Sequence, residues 1–216
     1  MKILKENAMY YLICLILTLS FTSILLGVFI IMFAMKDESD VSKSYERTSV
    51  IVNSPDTTSP TEVVEDLQLE FNNPDIVGFI DYNKAGICYP ILQTTDNSWY
   101  LSHDPWNNVN ISGSVFLDCD CKSDFSGKYS VIYGHNMNNG SMFGSLDTRS
   151  NIGDTFSITV GDTEYTYEVE ASGVYEAKDV KSLSSSTDDS LKRVLLVTCY
   201  GGNDELRYVV TGVLQD

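Results

Sequence analysis

From residue 76 onward the chain is a succession of short apolar or alternating runs separated by turn residues. No other feature restricts the fold as much. The runs are IVGFI (76–80), GICYPIL (86–92), GSVFLD (113–118), YSVIY (129–133), TFSITV (155–160), TEYTYEVE (163–170), SGVYEA (172–177), RVLLVT (193–198) and LRYVVTGVL (206–214). Each has strand length and strand composition. With no long helices between them, they predict a mainly all-β barrel or sandwich. Val160-Gly161-Asp162 reads as a hairpin turn between two alternating strands. Before the β region, EVVEDLQLEF (62–71) spaces Val63, Leu67 and Phe71 as one helical face, with Thr61 as its expected cap. Residues 141–149 are expected to add a short helical turn, and 178–190 a loop.

Residues 10–35, YYLICLILTLSFTSILLGVFIIMFAM, carry no charge. A bilayer span needs roughly 20 apolar residues. Phe33-Ala34-Met35 is a poor signal-peptidase site, and bulky Ile13 before Cys14 argues against a lipoprotein cysteine. The reading is an uncleaved single-pass anchor. Residues 1–9 then form a short cytoplasmic tail, with the C-terminal domain outside the cell. Lysines lie on both sides of the span, so charge does not set its orientation. Residues 36–61 are polar and rich in Ser, Thr and Asp, and read as a linker to a domain at 62–216. The 216 residues carry a formal net charge of −16, which excludes nucleic acid as a partner, since phosphate binding needs clustered Lys and Arg.

The chemistry is concentrated in LLVTCYGGNDELRYVV (195–210). Cys199 stands at a strand end beside a Gly-rich turn, where a reagent can reach it. The nucleophilic form of cysteine is the thiolate, and a free thiol titrates near 8.5. Activation therefore calls for an imidazole or a positive charge nearby. The chain has two histidines. His135, in YSVIYGHNMNNG, follows a strand just as Cys199 does; His103 sits in a loop beside Asp104. Arg207 returns on the strand after Cys199, and its guanidinium stays protonated, suited to an oxyanion. Asp204 and Glu205 read as exposed turn acids. Thr198 beside the cysteine, and Tyr133, Asn136 and Ser141 around the histidine, are candidates to line a substrate groove. Cys119 and Cys121, if on a strand, would share one face and offer half a metal site, but only two histidines are available to complete it. The acidic residues follow no calcium-loop pattern. No metal or cofactor is expected, and Cys88, Cys119 and Cys121 receive no role.

These stretches together resemble class B sortases: NPDIVGFIDY (73–82), YPILQTTDNSWYLSHD (89–104), GSVFLD (113–118), VIYGHNMNNGSMFGSL (131–146) and LLVTCYGGNDELRYVVTGVL (195–214). The resemblance covers roughly residues 62–214 in order. It implies a closed barrel of about eight strands preceded by N-terminal helical structure, on the outer face of a Gram-positive membrane. It further implies a cysteine transpeptidase with Cys199 as nucleophile, His135 as general acid/base and Arg207 as oxyanion or substrate stabiliser. The implied partners are secreted proteins bearing a C-terminal sorting motif and an amino group of peptidoglycan or its lipid-linked precursor. Two stretches depart from the pattern. The 177–192 connection is short and Ser-rich where a helix-containing insertion is common, and YGGNDEL replaces a Tyr-Glu-Phe-like run. A cysteine endopeptidase with water as acceptor and a non-enzymatic surface-binding module remain as alternatives.

Overall fold

The computed structural model describes residues 2–54, 59–183 and 190–215. The chain separates into two compact units, Met1–Ser39 and Asp40–Asp216, each described on its own. In the first, helix α1 (Lys2–Val52) carries the apolar run, whose large side chains from Met9 to Met35 are mostly exposed. At 1.5 Å per residue, residues 10–35 extend about 39 Å, more than the roughly 30 Å of a hydrocarbon core. The helix is long and apolar enough to cross a membrane, a property that a signal sequence shares.

In the second unit, the end of α1 does what composition concealed. Within the stretch read as linker, Val41, Ser44 and Thr48 are buried. Tyr45, Ile51 and Val52 pack against the core beside them. The stripe has helical i, i+3, i+4 spacing, but Ser and Thr occupy part of it, which hides it from a hydropathy reading. Tyr45 meets Tyr89 edge-on at 5.6 Å. Helix α2 (Pro60–Phe71) begins two residues before the expected start at Glu62. Ser59 and Glu62 form a reciprocal capping box and Pro60 takes the first turn; Thr61 lies inside the helix. Its inner face, Val63, Val64, Leu67 and Phe71, is buried. Fully burying a Leu or Phe side chain is worth about 1.5–3 kcal/mol.

Eight strands follow: β1 (Ile76–Tyr82), β2 (Ile87–Leu92), β3 (Phe116–Leu117), β4 (Tyr129–Tyr133), β5 (Thr155–Val160), β6 (Thr163–Glu176), β7 (Arg193–Tyr200) and β8 (Asn203–Leu214). They close into a barrel in the order β1-β2-β3-β4-β7-β8-β6-β5. The expected runs at 163–170 and 172–177 are one strand, interrupted by a register shift between Val169 and Ala171. That bulge breaks the alternation and makes one strand read as two. The run at 113–118 shrinks to the two residues of β3. Ile80, Ile87, Ile91, Ile132, Val194, Leu196 and Val210 fill the core.

Most pairings are antiparallel, but β2–β3 and β4–β7 are parallel. The β4–β7 pair sets the site, because parallel strands end at the same rim of the barrel. Short helices α3 (Leu146–Arg149) and α4 (Val180–Leu183) complete the fold. The segment expected as a loop at 178–190 is thus helical at its start, and its 184–189 portion lies outside the described residues. Cys119 and Cys121 lie in a turn after β3 rather than on a strand, so a shared strand face does not arise.

Candidate active site

Strand β7 carries Thr198 and Cys199 to the rim and turns at Gly201 and Gly202, with φ of 63° and 66°. Two consecutive positive φ values are what a two-residue hairpin turn requires, and glycine supplies them without a Cβ clash. Tyr200 pairs with Asn203, yet the next pair is Cys199 with Arg207. Asp204, Glu205 and Leu206 are therefore extra residues on the β8 side. This bulge is why an arginine eight positions on stands directly across from the thiol. Arg207 Nη1 donates to the carbonyls of Asp204 (2.8 Å) and Leu206 (2.9 Å), closing the bulge on itself. Its other N–H groups have no hydrogen-bond partner among the described residues. Asp204 and Glu205 are exposed, as expected for turn acids.

The histidine arrives by the parallel ladder. Tyr133 pairs with Val197, and Gly134 extends the ladder by donating to the Val197 carbonyl at 3.1 Å. His135 follows as Cys199 follows, two residues past the last pair. Its loop folds back through an Asn136–Met142 bridge and a Phe143 N–H bond to the His135 carbonyl at 3.0 Å. Asn136 Nδ2 donates to the Cys199 carbonyl at 2.7 Å, tying the histidine loop to the cysteine strand. On the other side, His135 Nε2 lies 2.9 Å from the carbonyl oxygen of Leu101.

His135, Cys199 and Arg207 line one cavity of about 210 Å³, together with Asn97, Leu101, Phe116, Tyr133, Gly134, Val197 and Thr198. Tyr133 stacks obliquely on Phe116 at 5.3 Å and donates to Asp118 Oδ2 at 2.9 Å. Burial, reinforced by the Asp118 carboxylate, pushes its phenol well above the ordinary value, so it remains a neutral donor. The Thr198 hydroxyl is buried with no hydrogen-bond partner among the described residues. Of the weaker candidates, Thr198 and Tyr133 line the cavity, and Asn136 acts on its wall through Cys199. Ser141 is not among the lining residues; its N–H and hydroxyl both bond Asn139 Oδ1. Sequence reasoning gave no role to Asn97, Leu101 or Phe116, although 89–104 and 113–118 were among the stretches of resemblance.

His103 lies elsewhere, stacked on Trp99 at 3.9 Å with Nδ1 2.9 Å from the Trp99 carbonyl. A larger, more open hollow of about 970 Å³, lined by Gln93, Cys119, Cys121 and Lys122 among others, contains neither His135 nor Cys199. All five cysteines are free thiols. Burial, with Asp81 nearby, pushes the Cys88 thiol up to about 12, and burial likewise raises Cys121, so both resist forming thiolate. Asp118, Cys119 and Asp120 bring three ligand atoms within 4.8 Å of one another. The Lys181 ammonium is already there, 3.1 Å from Asp120 and 4.0 Å from Asp118.

Residues 80–215 match the family profile described as a sortase domain. The chain belongs to the sortase family. Within it the likeness is to class B. The chain is 40% identical over 121 residues to sortase B of Listeria monocytogenes, covering 53% of this chain and 48% of that protein. It is 33% identical over 79 residues to sortase B of Staphylococcus aureus, covering 37% of this chain and 32% of that protein. The match thus spans about half the length of the first of these relatives. Among solved structures, a mutant form of Clostridium perfringens sortase B superposes with a TM-score of 0.67 at 22% identity, covering 81% of this chain and 98% of that one. A Staphylococcus aureus sortase B–substrate complex gives 0.69 at 18% identity, covering 86% and 99%. At such identities these two speak to the fold, and the sortase barrel is the one described above.

Proposed function

We propose that this sortase is a membrane-anchored cysteine transpeptidase. It cleaves a C-terminal sorting motif of secreted proteins and passes them to an amino group of peptidoglycan or its lipid-linked precursor. The observation that carries the reading is the convergence on one cavity of Cys199, its cross-strand partner Arg207 and His135. The Cys199 thiol proton passes to His135, and sulfur attacks the scissile carbonyl carbon. Arg207, with a backbone N–H near Cys199, stabilises the resulting oxyanion. Collapse breaks the C–N bond, the departing amine takes the proton from His135, and a thioester remains. The acceptor amine then attacks the thioester and gives its proton to His135. A new amide bond forms, the C–S bond breaks, and the thiolate recovers its proton. Residues 1–9 stay in the cytoplasm and 10–35 span the membrane. The unit from Asp40 onward works outside, without a metal or organic cofactor.

The test uses the full chain in detergent micelles with peptides carrying sortase-like motifs, with and without amine acceptors, followed by mass spectrometry. A Cys199-linked acyl adduct with amine-ligated product is expected, and both vanish in Cys199→Ala. Hydrolysed product under every acceptor would move the reading to an endopeptidase. No adduct on any peptide, with Cys199 inert to alkylation, would leave a non-enzymatic binding module.

A further inference from the structure

We infer that the backbone carbonyl of Leu101 is the orienting partner of His135, fixing the ring with its proton on Nε2 and leaving Nδ1 as the nitrogen that exchanges protons with Cys199. The inference rests on the reading of His135 as general acid/base and adds a positioning element to it. A thiol–imidazole pair works best when a third group holds the base, the part a carboxylate plays in many triads. No side-chain carboxylate lines the cavity among the described residues. A carbonyl oxygen does stand 2.9 Å from Nε2. A carbonyl only accepts, so a hydrogen bond of this length requires Nε2 to be the protonated nitrogen. In the neutral ring Nδ1 is then bare, ready to take the thiol proton. In the charged ring the Nε2–H bond persists.

The carbonyl is itself held in place. Trp99–Leu101 form a 3₁₀ turn, with Leu101 N–H bonded to the Ser98 carbonyl and Ser102 N–H to that of Trp99. Tyr100 is buried and its hydroxyl donates to Asp75 Oδ2 at 2.8 Å. Behind the turn runs Gly113, at φ 55°, so close that a Cβ there would stand 2.4 Å from the Tyr100 oxygen and 2.9 Å from the Leu101 oxygen. Glycine at 113 lets the two backbones meet and sets where the Leu101 carbonyl points. His103 supplies an internal contrast. Its Nδ1, not Nε2, faces a carbonyl, that of Trp99 at 2.9 Å. The two histidines of this chain are therefore expected to rest in opposite tautomers.

Long-range ¹H–¹⁵N correlation spectra of the ¹⁵N-histidine-labelled full chain in micelles read this directly, with His103→Asn separating the two rings. Spectra are taken above the ring titrations, in the native protein and in Cys199→Ala. His135 should show a protonated Nε2 and a bare Nδ1 in both, and His103 the reverse. A bare Nε2 on His135, or an averaged mixture of tautomers, overturns the proposal. Gly113→Ala should push the Leu101 carbonyl aside, turn the His135 signal into a tautomer mixture and lower kcat about tenfold, with KM within twofold. If that variant does not fold, the native spectra decide alone. Full Cys199 acylation by His135→Ala would remove the acid/base reading, while the tautomer spectra would still report whether Leu101 holds the ring.

Discussion

Asn136 gives the sharpest test of how the histidine loop and the cysteine strand are coupled. Its amide donates to the Cys199 carbonyl at 2.7 Å in a partly buried setting, at the short end of N–H···O distances. A hydrogen bond of this kind contributes about 0.5–1.5 kcal/mol net. If the whole of it goes into placing His135 against the thiol, Asn136→Ala should lower the rate of Cys199 acylation about 2- to 12-fold. Asn136→Asp keeps the shape but turns a carboxylate oxygen toward a carbonyl oxygen, so attraction becomes repulsion. The loss should then reach about 10- to 1000-fold, with the repulsion and the desolvated carbonyl adding about 1–3 kcal/mol. The order of the two variants is the diagnostic. Were the side chain merely filling space, Ala would be the worse replacement; if the amide donor matters, Asp is worse. The rate of Cys199 alkylation by iodoacetamide, localised by peptide mapping, gives a readout that needs no knowledge of the substrate. Thermal unfolding checks that both variants keep the barrel. An Asn136→Asp rate equal to or above that of Asn136→Ala would refute the reasoning.

Two further outcomes follow from buried polar groups. Asp154 accepts hydrogen bonds from Lys84 Nζ (2.6 Å), Tyr82 OH (3.0 Å) and Asn151 N–H (3.0 Å). The Lys84 bond is foremost in holding its carboxyl below the ordinary value. Its contribution is therefore complete above the unfolded value near pH 4 and lost as pH falls through the lower folded value. Asp154→Asn should destabilise by about 1.5 kcal/mol at neutral pH and by progressively less in acid; unfolding midpoints with the same gap at both pH values would contradict this. The Thr198 hydroxyl is buried with no hydrogen-bond partner among the described residues, which costs stability; under the proposed function a substrate group in the cavity supplies the partner. Thr198→Val, similar in shape and well suited to a strand, should stabilise the protein by about 1 kcal/mol and raise KM for a cleaved peptide several-fold. An unchanged KM would leave the hydroxyl with no part in binding.

The strand pattern was legible because short apolar or alternating runs are set apart by turn residues. The return of Arg207 on the strand after Cys199 was legible too, but its place directly across from the thiol depends on the three-residue bulge at Asp204–Leu206, which the Gly-rich turn alone does not dictate. What stayed hidden has physical reasons. The buried stripe Val41–Ser44–Thr48 carries too few apolar residues to stand out from its charged neighbours. The bulge at Val169–Ala171 shifts the alternation and splits one strand into two. The true cap, Ser59, is masked by Thr61, which stands nearer the apolar spacing, although the box Ser59 makes with Glu62 is the stronger signal. The contacts around His135 are hardest to read from sequence, because backbone oxygens make them. The Leu101 carbonyl and the Cys199 carbonyl exist at every residue, and only the fold decides which ones meet an imidazole or an amide. The same fact makes the site tolerant of change in its neighbours' identities. A side chain at 101 can vary without altering the oxygen it presents, whereas glycine at 113 cannot gain a Cβ without moving one. Substitutions that bend the backbone at the rim should therefore disturb the chemistry more than substitutions that merely recolour it, Cys199, His135 and Arg207 excepted.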